Sequence, residues 1–202
     1  MRKSSKLVFG LGLNNGRYLS VLEKTMLCEY KTWRNMILRC TDKWQIKYPT
    51  YKGVTCSENF KNYEYFYEWC QTQVGFKNKD EHDRYWHLDK DLLVKGNKLY
   101  SEDTCVFVPS RINSLLNKLV KSRGEYPIGV CFCNTKRAFF ASCGLGDGRS
   151  KNLGLHCTSE LAFQAYKLFK EDLIKQVAKD YKPQLDPRAY QALMNYEVNI
   201  ND

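Results

Sequence analysis

Apolar residues recur at helical spacing between Glu29 and Cys40: Trp33, Met36, Ile37 and Cys40 share one side, and Lys31, Arg34 and Arg39 lie elsewhere. That stretch is expected to be a helix. A loop carrying Pro49 and Gly53 follows, and then an aromatic-rich helix over Tyr63–Gln73, ended near Gly75. Its aromatic residues cover a helix face and are expected in the core. From Trp86 to Leu93 the pattern alternates as in a strand. Lys95–Lys98 predicts a tight turn, with Gly96 and Asn97 supplying the positive backbone angles. Cys105–Val108 reads as a second short strand, which Pro109 stops, and Arg111–Val120 reads as a helix. Three further strands are expected at Ile128–Cys133, Arg137–Cys143 and Ser150–Leu155, with a turn at Gly144–Gly148. Of Phe139 and Phe140 one must face inward, because neighbours on a strand point to opposite sides. Thr158 is a good N-cap with Glu160 in the first turn. The helix it starts carries Ala162, Ala165, Tyr166, Phe169, Leu173 and Val177 on one face, and Pro183 and Pro187 end it.

This order of elements predicts an α+β chain in three segments. Residues 1–80 form an N-terminal helical, basic and aromatic segment. Residues 81–121 run strand, turn, strand, helix. Residues 126–202 form a three-stranded sheet packed on a helix, with the boundary near Lys121–Glu125.

Charge adds a partner class. The 202 residues carry a formal net charge of +10. Lys and Arg outnumber Asp and Glu by eleven to four over residues 1–60 and by fourteen to nine over residues 110–202. Over residues 61–109 the balance reverses, seven to nine. Basic ends suit a polyanion such as double-stranded DNA, and an acidic centre suits a divalent cation. A lysine-rich solvated surface is the plainer explanation of the same numbers. No apolar run is long enough to span a bilayer, and Asn14, Asn15 and Arg17 interrupt the N-terminal stretch before a signal-peptide core is complete, so no membrane partner is expected. The nine cysteines include no Cys-x-x-Cys pair, and most lie in apolar or aromatic stretches, which reads as small buried hydrophobes in a reducing, cytoplasmic setting.

The stretch that carries chemistry is His87–Pro109, HLDKDLLVKGNKLYSEDTCVFVP, with Asn113 beyond it. Asp89, Asp91, Asn97, Asp103 and Asn113 offer oxygen ligands of the hardness that Mg²⁺ or Mn²⁺ prefers. His87 stands two residues before Asp89, on the same side of a strand, where it is placed to act as a base. His82 is a second candidate, in the charged loop KNKDEHDRY.

Taken in order, W-x-x-M-x-x-R-C (Trp33–Cys40), L-D-K-D (Leu88–Asp91), G-N-K-x-Y-S (Gly96–Ser101), T-C-x-F-V-P (Thr104–Pro109) and I-N (Ile112, Asn113) resemble the phage HNH homing endonucleases. The C-terminal stretch resembles the DNA-binding domain of plant ethylene-response factors, which also occurs in phage homing endonucleases, through Ile128-Gly129-Val130, Leu153-Gly154 and Ala162-Phe163-x-Ala165-Tyr166-Lys167. The resemblance implies a ββα-metal finger over 81–121 with one Mg²⁺ or Mn²⁺ ion. Asp89 would be a metal ligand and Asn113 would help. It also implies a phage-encoded protein working in the bacterial host cytoplasm. Two positions depart from the pattern: Lys90 stands where the family has its catalytic histidine, and Thr104 where it has a metal-binding asparagine. His87 or Lys90 would then be the base. In the C-terminal domain the resemblance implies a sheet in the major groove, with Lys136, Arg137, Arg149 and Lys151 as candidate DNA contacts. Arg34 and Arg39 are candidates on the first helix.

Three functions are therefore expected to compete. The first is a site-specific DNA endonuclease or nickase. The second is a DNA-binding regulator or counter-defence factor that keeps the HNH unit as a scaffold. The third is a protein-interaction role for the aromatic N-terminal segment.

Overall fold

The computed structural model describes residues 7–117 and 125–200. The fold is α+β, and it divides into two units, one running to Val108 and the other starting at Pro109. The expected boundary at Lys121–Glu125 lies, apart from its last residue, outside the described residues, as does the end of the helix expected to reach Val120.

The first unit opens with a hairpin that the periodicity did not announce, β1 (Val21–Leu22) and β2 (Thr25–Met26). Its turn puts the non-glycine residues Glu23 and Lys24 at positive φ. Helix α1 (Cys28–Arg39) matches the expected span. Helix α2 (Asp42–Lys47), capped by Thr41, was not foreseen, because six residues give too short a period to recognise. Strand β3 (Thr55–Cys56) precedes α3 (Tyr63–Gln71), whose cap is Asn62 accepting from the amides of Glu64 and Tyr65. The alternating stretch after Trp86 is strand only over β4 (His87–Asp89). It pairs antiparallel with β6 (Val106–Val108), matching His87 with Val108, Leu88 with Phe107 and Asp89 with Val106. Between them the chain makes a wide loop rather than a tight turn. Part of that loop, β5 (Leu99–Tyr100), pairs in parallel with β3. Of the two turn residues only Gly96 takes a positive φ.

The core of this unit is aromatic. Trp33, Phe60, Tyr63 and Phe66 are fully buried, with Phe107 essentially so. The Trp33 indole donates to the Phe60 carbonyl at 2.8 Å. A side chain at Gly12 would collide with the Trp33 ring.

In the second unit α4 (Ser110–Leu116) packs on α5 (Ser159–Tyr181). The strands and the helix of the expected finger therefore fall in different units. The three expected strands appear as β7 (Val130–Cys133), β8 (Ala138–Gly144) and β9 (Ser150–His156), antiparallel in that order. All three pack on α5. Thr158 caps α5 as expected, accepting from the Leu161 amide. Gly129 sits at φ +78°, and a side chain there would fall inside the Tyr166 ring. Pro183 and Pro187 do not act alike: α5 ends at Tyr181, but Pro187 is the first residue of a further helix, α6 (Pro187–Met194), capped by Asp186. Proline fits the first turn of a helix, where its missing N–H has no partner to lose.

The buried stripe of α5 includes one residue its apolar pattern hides. Lys170 is 8% exposed, beside the Cys143 thiol, and burial lowers its pKa. An unfolded chain binds that proton more readily than the folded one, so stability should rise with pH as neutral solution gives way to alkaline. Lys170→Met is expected to raise the unfolding midpoint at pH 7 and to flatten that rise. Denaturant titrations of both proteins at pH 7 and pH 9.5 check this.

Candidate functional site

The residues of the L-D-K-D motif sit at the end of β4, where the strand turns into the loop. His87 and Asp89 point to one side of the strand, two residues apart. Asp89 is half-buried, and its Oδ1 accepts from the amides of Asp91 at 3.0 Å and Leu92 at 2.8 Å. Burial and the neighbouring Asp91 carboxylate raise its pKa in spite of those two donors. Lys90 points into the other side and is 7% exposed. Its ammonium donates to the Asn97 carbonyl at 2.9 Å, lies 3.4 Å from Asp91 Oδ1 and sits 5.8 Å from the centre of the Tyr100 ring.

Asn97 closes the loop from the opposite side. Its Nδ2 donates to the carbonyls of Lys90 and Leu99, both at 2.7 Å, and its Oδ1 accepts from the Leu99 amide. Thr104 does the same one turn later. Its hydroxyl donates to the Leu99 carbonyl at 2.8 Å, accepts from the Ser101 amide at 3.2 Å and meets the Ser101 hydroxyl at 2.9 Å. Lys90, Asn97 and Thr104 together form a hydrogen-bonded brace for residues 90–104.

His87 is exposed. Partial desolvation and the guanidinium groups of Arg39 and Arg84 lower its pKa, against the Asp80 carboxylate, which raises it. The imidazole is therefore neutral at pH 7. Arg84 is itself held by Asp80, through Nε at 2.9 Å and Nη2 at 2.8 Å. Arg39 donates from Nη1 to the Tyr100 hydroxyl at 3.1 Å and covers the Tyr51 ring, with the Asp89 carboxylate contributing to its field. Thus the structure brings Arg39, His87 and Asp89 together. Arg84 and Asp80 belong to this neighbourhood and were missed. The D-x-x-x-R spacing in a loop was the available signal. His82, with its amide on Asp80 Oδ1, is an exposed loop residue. Arg34 is half-buried, 4.8 Å from the centre of the Phe9 ring. Asn113 is half-buried on α4, in the second unit.

A single-metal centre needs several oxygen or nitrogen donors converging on one point. Among the described residues no group of three or more His, Cys, Asp or Glu side chains does so. Within the first unit Thr104 has its hydroxyl committed to the loop, the Lys90 position holds a cation, and Asp89 has one oxygen capped by two amides. These residues do not fit a Mg²⁺ or Mn²⁺ centre of the implied kind.

In the second unit, register fixes which side of the sheet each residue faces. Ala141 and Cys143 are buried against α5. Phe139 shares their side and packs on Phe132 and Tyr126, so Phe140 points outward. Directly opposite residues share a face. The outer face therefore carries Cys131, Phe140 and Leu155 in one row and Ser142 and Asn152 in the next. It holds no charge within the strands. Lys136 and Arg137 lie in the β7–β8 turn, with Arg137 at φ +49°. Arg149 lies in the β8–β9 turn at the other end, paired with Asp147 at 2.6 Å. Lys151 is opposite Cys143 and so belongs to the helix side, where it is exposed.

No family model, curated protein or solved structure matches this chain.

Two outcomes follow. In a proton NMR titration the His87 ring should titrate below the ordinary histidine value of about 6.5, and Arg84→Gln should raise its midpoint by removing a cation and freeing Asp80. His87→Asn identifies the resonance. Asn97→Ala, which removes three hydrogen bonds, should lower stability by about 2–3 kcal/mol, measured by urea unfolding.

Proposed function

We propose that this protein binds double-stranded DNA through its C-terminal sheet and holds the HNH-like segment as a scaffold rather than as a cutting centre. The observation that carries the reading is the distribution of charge on β7–β9. Exposed basic side chains stand at the two turns, Lys136 and Arg137 at one end and Arg149, which would exchange its Asp147 partner for phosphate, at the other, with an uncharged face between them. The seven residues of β8 separate those ends by about 20 Å at roughly 3.4 Å per residue. That reach exceeds the major-groove width of about 12 Å, so cations at both ends can meet phosphates on both walls of the groove. Ser142 and Asn152, on the face between, are the polar groups within reach of base edges. Such an arrangement favours affinity from phosphate contacts over base discrimination. Against cleavage speak the buried ammonium of Lys90 on the Asn97 carbonyl and the committed hydroxyl of Thr104.

One observation favours a second reading, a site-specific DNA endonuclease or nickase. His87 is exposed, neutral at pH 7 and on the same side of β4 as Asp89. A neutral imidazole can take a proton from water attacking a phosphodiester.

A gel shift over a range of salt concentrations, run beside a supercoiled-plasmid nicking assay with Mg²⁺, Mn²⁺ or EDTA, separates the two. The scaffold reading expects tight binding at low salt, a steep loss with added salt and no nicking. Lys136→Gln with Arg137→Gln should reduce the salt slope by about two. Metal-dependent nicking that His87→Asn and Asp89→Ala both abolish would establish the nuclease instead. Absence of any shift at low salt would remove both.

A further inference from the structure

We propose that the pocket around Lys170 is a binding site for one compact monovalent anion, either a halide or the carboxylate head of a small acid. The inference does not depend on the DNA-binding reading. Its residues belong to the helix side of the C-terminal sheet, not to the outer face of β7–β9. Tyr166 and Lys170 stand about one turn apart on α5. With Leu115 and Asn117 at the end of α4, Ile128 before β7 and Tyr196 in the C-terminal tail, they line an opening of about 230 Å³, the solvent at its mouth included.

Lys170 is 8% exposed, yet among the described residues its ammonium makes no hydrogen bond and no ion pair. Lys90, buried to the same degree, shows what a satisfied lysine looks like: it donates to the Asn97 carbonyl and lies 3.4 Å from Asp91. Along α5 the sequence supplies no counter-ion. The residues three and four positions from Lys170 are Tyr166, Lys167, Leu173 and Ile174, none of them acidic. The adjacent Glu171 is committed elsewhere, its Oε1 accepting from the Val198 amide at 2.8 Å and lying 3.5 Å from the Lys167 ammonium. A buried charge is costly unless it is paired, and an anion in the pocket supplies the partner that the chain does not. The lining selects the kind of anion. Leu115, Ile128, Tyr166 and Tyr196 make it largely apolar, and its single cation balances one negative charge. Sulfate or phosphate would keep uncompensated charge and unmet hydrogen bonds there. The inner part of the opening is narrow, so a halide or a carboxylate head enters and a bulky acid does not.

The test uses the full chain at pH 7. Sodium chloride or sodium formate replaces sodium gluconate, whose anion is too bulky to enter, at constant sodium concentration. The carbon NMR resonance of Lys170 Cε, identified by its loss in Lys170→Met, is followed together with the unfolding temperature. With chloride, formate or both, the resonance is expected to move along a one-site saturation curve. The unfolding temperature is expected to rise over the same concentration range, because the anion binds the folded chain alone. Lys170→Met is expected to show no such rise. Whichever anion saturates at the lower concentration identifies the ligand as a halide or a carboxylate. Should the variant not fold, the wild-type resonance decides by itself. A Lys170 resonance that neither anion moves to saturation, or an equal gain in unfolding temperature in wild type and Lys170→Met, would overturn the assignment.

Discussion

The first unit is organised around the burial of one indole. Trp33 is fully buried, its N–H satisfied by the Phe60 carbonyl and its ring set against Gly12, Tyr30 and Tyr63. An aromatic ring of this size contributes most of its stabilisation through area removed from water, and its single donor must find an acceptor once buried. Meeting both demands brings α1, the N-terminal loop and the turn before α3 to fixed positions. The C-terminus of α1 is then carried to β3, and Arg39 arrives beside Tyr100.

The second constraint is local and polar. The loop between β4 and β6 buries Leu92, Tyr100 and Cys105, and hydrogen bonds fix the polar stretch between them. Lys90 binds across to Asn97, Asn97 binds back to Lys90 and on to Leu99, and Thr104 closes on Leu99 and Ser101. The two positions that depart from the HNH pattern, Lys90 and Thr104, are both members of this brace. The same loop leaves Asp89 half-buried with an exposed His87 on its side of the strand. A neutral histidine and a desolvated carboxylate lie there, while Lys90 and Thr104 are committed to the loop's own hydrogen bonds.

In the second unit the helix does the ordering. α5 buries a stripe from Ala162 to Ala178, and the sheet's inner side is whatever packs on it. The consequence for function is indirect. Cations that a strand pattern would assign to a sheet surface are displaced to the turns, and the exposed side is left neutral, with Phe140 flanked by Cys131 and Leu155.

The sequence by itself determined the elements whose hydrophobic period is long or whose ends carry strong signals. Helices α1, α3 and α5, the Thr158 cap and the three strands of the C-terminal sheet are legible in it because side-chain spacing and capping are local properties. Short elements escaped: α2, the β1–β2 hairpin and the β3–β5 pair have too few residues for a period, and a parallel pairing between residues more than forty positions apart leaves no local trace. Pro187 was misread because proline both ends and begins helices, and only the capping of Asp186 onto the following amide distinguishes the two. The cysteines were half legible. Cys56, Cys70, Cys105 and Cys143 are buried as their apolar neighbours suggested, whereas Cys131 and Cys157 are exposed. Tertiary structure alone decided that Lys90 points inward, that Arg39 and Arg84 both bear on His87, and that Phe140 rather than Phe139 faces out. Each of these depends on which groups distant in the chain share a dielectric boundary or a strand register. Such proximity is set by packing, and no spacing along one chain encodes it.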